Sequence, residues 1–135
     1  MIQRLSHMTL FVLDQDAAKE FYVEKLGFEV RMDQSMGDFR WLTVGPKGQP
    51  DLQIILMKIA PSGRMDAESA EKLKGLIQKG LVAAGSFETV DCRKTYEELK
   101  AGGVEFPSPP EDKFYGVEAV FKDNSGNWFS LNQPK

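Results

Sequence analysis

His7 is the only histidine in the chain, and Cys92 the only cysteine. An imidazole whose ordinary titration range spans neutrality can serve as metal ligand, general base or hydrogen-bonded pocket wall. The pocket-wall role is the commonest for a single histidine on a strand. One neutral imidazole does not hold a divalent ion against water, and non-haem iron oxygenases take two histidines and a carboxylate. Cys92 follows Asp91 at the expected start of a helix, where the helix dipole lowers a thiol's pKa. No histidine lies near it in sequence to form a nucleophilic pair, so it reads as structural. A lone cysteine also rules out a disulfide within the chain and fits a reducing, cytoplasmic compartment. Arg40, beside Trp41, can pair with a carboxylate on a ligand.

The elements that must position these residues follow from periodicity and caps. A strand is predicted over about 4–13, with His7, Thr9 and Phe11 on one face and Met8, Leu10 and Val12 on the other. Asp14 is a helix N-cap, Ala17, Ala18, Phe21, Tyr22 and Leu26 keep helical spacing, and Gly27 suits a C-cap. Strands are expected from 28, over 39–45 and over 51–59, giving β-α-β-β-β. Residues 60–80 form a connector holding a short surface helix with Leu73, Leu76 and Ile77 as its apolar stripe. The plan then repeats: a strand over 80–90, a helix capped by Asp91 and closed by Gly102–Gly103, a short VEF strand, a rigid PSPP loop at 107–110, a strand over 114–123, an NSG turn and a last strand over 127–133.

Asp14 and Asp91 lie 77 residues apart, and Leu56 and Leu131 lie 75 apart. A period this long with matching caps is a duplicated supersecondary unit rather than a solenoid. The fold class is α+β: two βαβββ modules, about 1–59 and 81–135, joined by the 60–80 connector within one domain of 135 residues. Sheet faces not covered by helices need a partner, and pairing them makes a curved cup suited to a ligand.

The totals exclude several classes. Hydrophobic residues make up 41% and charged residues 27%, and the net charge is −3. That is globular composition without the basic face of a nucleic-acid binder. No apolar run approaches the ~18 residues a membrane span requires. No signal peptide is visible at the N-terminus.

The His7 strand followed by LDQDAAKEFYVEKLGFEV, the RWLTVGPKG turn, the VDCRKTYEELKAGGVEF helix and the closing YGVEAVFKDNSGNWFSL together resemble the vicinal oxygen chelate superfamily. That group includes glyoxalase I, extradiol dioxygenases and the fosfomycin- and bleomycin-resistance proteins. The resemblance covers essentially the whole chain. It implies a metal ligand in the first and last strand of each module. These positions fall on His7, on or near Ile55 with Gln53 adjacent, near Gly85, and on Ser130, so only His7 matches a metal-binding residue.

The resemblance together with strand parity implies a small-molecule site lined by Phe11, Gln53, Met57, Phe87, Trp128 and Ser130, with Arg40, Trp41 and Tyr115 joining. Such a set suits a flat or hydrophobic organic ligand held by stacking and a few hydrogen bonds. The expected function is a bleomycin-resistance-like binding protein, working as a homodimer and without a metal cofactor. The alternative is a metal-dependent lyase or dioxygenase using His7 with displaced carboxylates such as Glu88 or Glu118, or His7 as a metal-independent catalytic base.

Overall fold

A computed structural model describes residues 1–135 and divides them into two compact units, Met1–Ala70 and Glu71–Lys135. The first unit contains strand β1 (His7–Val12), helix α1 (Gln15–Glu20), and strands β2 (Glu29–Met36), β3 (Phe39–Gly45) and β4 (Gln53–Lys58). Its sheet has the order β1-β4-β3-β2, with β1 parallel to β4 and the other pairs antiparallel. The Asp14 side chain accepts from Ala17 N at 2.9 Å and so satisfies one of the free amides at the helix start. After Glu20 the helix widens into a π-turn over Phe21–Lys25, and the chain reverses at Gly27 with φ 75°.

One face of this sheet is covered. Leu10, Val12, Leu42, Val44, Ile54 and Leu56 alternate onto it, and Ala18, Phe21 and Tyr22 are the buried residues of the helical segment. Gln15 fastens the helix to the sheet: its Nε2 donates to Leu56 O at 2.8 Å and to Arg40 O at 3.2 Å.

In the second unit, α2 (Ala67–Gln78, beginning just before the division) is followed by β5 (Ala83–Glu88), α3 (Cys92–Ala101), β6 (Glu105–Lys113), β7 (Gly116–Lys122) and β8 (Trp128–Pro134). The sheet order β5-β8-β7-β6 repeats that of the first unit. Its covered face is aromatic: Phe87, Phe121 and Phe129 have ring centroids 4.8–6.2 Å apart, and Phe106 joins them from β6. Both units have the βαβββ plan, which makes the chain a duplicated α+β fold.

Two elements differ from the sequence expectation. The PSPP segment is not a rim loop but the middle of β6, a nine-residue strand. β6 is the edge of its sheet, where a missing proline N–H costs no ladder bond, and its pairing with β7 is irregular on both sides of Ser108. The connector carries a helix, as expected, but one of twelve residues with Ala70 and Ile77 buried rather than a short surface helix. Gly126, at φ 113°, lies so close to the Ile77 carbonyl that a Cβ would collide with it, so the NSG turn and the end of α2 fix each other.

Candidate functional site

The uncovered face of the first sheet is read off its register. Parallel pairing sets His7 beside Gln53, Thr9 beside Ile55 and Phe11 beside Met57. Across β4, Thr43 of β3 sits beside Ile55, and β2 adds Met32 opposite Thr43 and Gln34 opposite Trp41. Trp41 has the His7 ring 6.2 Å away and the Phe39 ring 6.4 Å away. The face is therefore aromatic and thioether-rich, with a small polar group at the His7 end. His7 is exposed, with Nδ1 3.0 Å from Ser6 Oγ. Thr43 is fully buried within the face and donates its hydroxyl to Gln53 Oε1 at 2.8 Å.

Arg40 lies on the opposite, helix-covered side. Its guanidinium bonds Asp33 through Nε and Nη2 at 2.8 and 2.9 Å, and Asp16 through Nη1 at 2.6 Å. The hydrogen bonds from Arg40, and then from Lys19, hold the Asp33 carboxyl far below the usual range, and Asp33 in turn raises Arg40. A shallow cavity of about 300 Å³ opens there, lined by Leu13, Asp14, Gln15, Asp16, Arg40 and Lys58. With two carboxylates already on it, Arg40 is committed to holding α1 against the sheet.

The uncovered face of the second sheet has different chemistry. Ser86 lies beside Ser130, Glu88 beside Asn132 and Glu118 on the other side of Asn132. Glu118 accepts from Tyr115 Oη at 2.7 Å and Ser130 Oγ at 2.8 Å, and these two donors lower its pKa. The same bond to Glu118 raises the Tyr115 phenol. Trp128 shares this face, opposite Lys122.

Phe87 does not join Trp128 and Ser130. The β5–β8 register shifts between Ala83 and Gly85, so Phe87 pairs with Leu131 and enters the covered aromatic core. A one-residue slip turns every later side chain to the other face. That slip also brings Ser86 and Glu88 outward, where plain alternation from Ala83 would put Gly85 and Phe87. Cys92 is buried, and desolvation raises its thiol, outweighing the helix-start effect that favours the thiolate.

Trp41, Phe11, Met57 and Gln53 are thus brought together with His7 on one face. Ser130 and Trp128 belong to the other sheet and Tyr115 to its β6–β7 turn, and Arg40 and Phe87 lie on covered sides. Thr43 was not among the sequence candidates. Its signal was a lone hydroxyl in step with Trp41 along the strand FRWLTVG.

The duplicated βαβββ architecture defines the protein class, and sequence comparison defines the family. The model of the glyoxalase/bleomycin resistance protein/dioxygenase superfamily matches residues 4–131, and the chain belongs to that superfamily. The crystal structure of UcmS2 is similar at 50% identity and a TM-score of 0.93, covering 98% of this chain and 99% of that one. TnmS3, an antibiotic binding protein from Streptomyces sp. CB03234, is similar at 31% identity and a TM-score of 0.78, covering 99% and 98%. YurT of Bacillus subtilis (strain 168) is 39% identical over 126 residues, 93% of this chain and 94% of its own.

Members of this superfamily that use a metal draw ligands from the first and last strands of each module. Here those strands offer His7 with Gln53 or Ile55 in one unit, and Ser86 with Ser130 in the other. One imidazole, an amide and two hydroxyls do not fit a divalent ion. No three His, Cys, Asp or Glu side chains gather into a potential metal site. Of the displaced carboxylates, Glu118 is already engaged by Tyr115 and Ser130. No helix is long and apolar enough to cross a membrane.

Proposed function

We propose that this chain is a binding protein for a small apolar organic molecule, held without a metal against the uncovered face of the first sheet. The observation that carries the reading is the Trp41 surface: an indole with His7 and Phe39 rings 6.2 and 6.4 Å away, in a sheet face shared with Phe11 and Met57. Aromatic and thioether groups gain most from a flat, polarizable partner. The description of TnmS3 as an antibiotic binding protein supports an antibiotic-like ligand and a sequestering role. The donor set described above supports metal-free binding, and the single cysteine a cytoplasmic setting.

The test is a thermal-shift panel of polycyclic aromatic antibiotics against the purified chain and its Trp41→Ala variant. At least one compound raises Tm by several degrees in the wild type and by much less in the variant. A panel with no shift, or one with equal shifts in both proteins, overturns the reading.

The working unit is a homodimer. Met32, Met36 and Phe39 are 41%, 66% and 43% exposed, a cluster of apolar side chains at the β2–β3 end of the first sheet. Contiguous apolar surface of this kind marks an interaction site, and a two-fold interface buries the same patch on both copies. Light scattering at micromolar concentration then reports twice the 15.2 kDa chain mass, and a monomer contradicts it.

A further inference from the structure

Thr43 and Gln53 make the ligand class more specific. We infer that Thr43 is a positioning residue: it turns the Gln53 amide so that Nε2 faces the ligand, and the face thereby selects an apolar ring system with a hydrogen-bond acceptor, such as a carbonyl oxygen, at its edge. This rests on the binding reading above.

The orientation follows from what each group lacks. Thr43 is 0% exposed, and its hydroxyl proton has one acceptor, Gln53 Oε1 at 2.8 Å. Turning the amide over puts N–H₂ against the hydroxyl and strands that proton in a buried place, which costs more than a typical bond is worth. The carbonyl end of Gln53 is therefore occupied. Its Nε2 makes no bond within the protein and is not among the buried atoms lacking a partner, so both N–H groups stay open to a ligand or water.

The neighbours complete the recognition. Gln53 pairs with His7 in the strand register, and His7 touches the Trp41 platform. His7 itself is tied at Nδ1 to Ser6 Oγ, 3.0 Å away. A ring stacked on Trp41 thus meets the Gln53 amide donor at one margin and thioether or hydrocarbon elsewhere. A ligand without an acceptor there forces the amide to lose its water for nothing. A site built around a hydrogen bond rejects the analogue that cannot make it.

The experiment uses a matched pair, 2-acetylnaphthalene and 2-ethylnaphthalene, titrated into ¹⁵N-labelled full-length protein. Both are expected to move the Trp41 indole signal. Only the ketone moves the Gln53 side-chain amide, and it binds about five- to tenfold tighter, the value of one hydrogen bond. Thr43→Val keeps the branched shape and removes the hydroxyl, so the preference falls toward one. Thr43→Ser restores it, and Gln53→Leu abolishes it on a background that needs no change in the buried strand. Equal binding of both probes by the wild type, or an undiminished preference in Thr43→Val, overturns the positioning role while leaving ring binding intact. If neither probe moves Trp41, the binding reading itself fails, and this inference with it.

Discussion

Leu56 and Leu131 occupy matching places in the last strands of the two units, and both are buried on the covered faces. The next residues, Met57 and Asn132, look the other way, and there the match ends. Met57 shares its face with Phe11, Ile55 and Trp41, whereas Asn132 sits between Glu88 and Glu118. The covered faces must fill against a helix, which keeps them apolar in both units. The uncovered faces carry no such demand and are free to diverge. Function in this chain is therefore to be sought where the two units disagree. The first sheet offers stacking surface, the second offers hydrogen-bond acceptors.

The comparison can be broken most forcefully at the shared core. Leu56→Ala and Leu131→Ala should each cost about 2–5 kcal/mol in urea unfolding, since both empty a packed site. A small loss at either position denies that the two covered faces are equivalent.

Next in size are the indoles. Trp41→Ala should weaken binding of the best panel compound by on the order of tenfold or more, while Trp128→Ala changes it within about threefold. Equal losses from the two substitutions erase the proposed division of roles. Calorimetric titration measures both.

Arg40→Met should cost about 1–2 kcal/mol through loss of a bidentate, partly buried pair and leave ligand affinity unchanged. Because Asp33 has a depressed pKa in the folded state, its stabilisation is present above the ordinary aspartate range and is lost as pH falls toward the folded value. The variant should therefore show a flatter acid-unfolding profile than the wild type. A loss of affinity for carboxylate ligands contradicts the placement of Arg40 on the covered side.

The smallest effect concerns Glu118. Removing the Ser130 hydroxyl with Ser130→Ala takes away one of the two donors that lower its pKa. Carboxyl NMR titration should show the midpoint moving up toward the ordinary glutamate value, with the wild type keeping the charged form to lower pH. An unchanged midpoint shows that Tyr115 alone sets it.

The fold was legible wherever local chemistry decides structure. Asp14 and Asp91 cap their helices as their side chains predict, and the alternation of FRWLTVG fixes β3 over Phe39–Gly45. What tertiary context decides was not. Prolines argue against a strand unless the strand is an edge, and edge position is a property of the sheet. The helix of the connector carries a narrow apolar stripe among polar residues, and the turn at Gly126 that receives its end lies far along the chain. In the site, alternation correctly separated His7, Thr9 and Phe11 from Leu10 and Val12. It misplaced Phe87 because a register shift near Ala84 leaves no mark in the residues. Arg40 and Trp41 are neighbours in sequence, and only the burial of Leu42 and Val44 tells which of them faces away from the helix.

Ligand binding on the Trp41 face is read out by the pair of indole Nε1–H signals in the ¹⁵N spectrum, followed as an apolar aromatic ligand from the panel is added. The Trp41 signal should move and saturate at one ligand per chain, with the signal lost in Trp41→Ala and the Trp128 signal moving less. Movement confined to Trp128, or binding that survives Trp41→Ala undiminished, contradicts binding on that face.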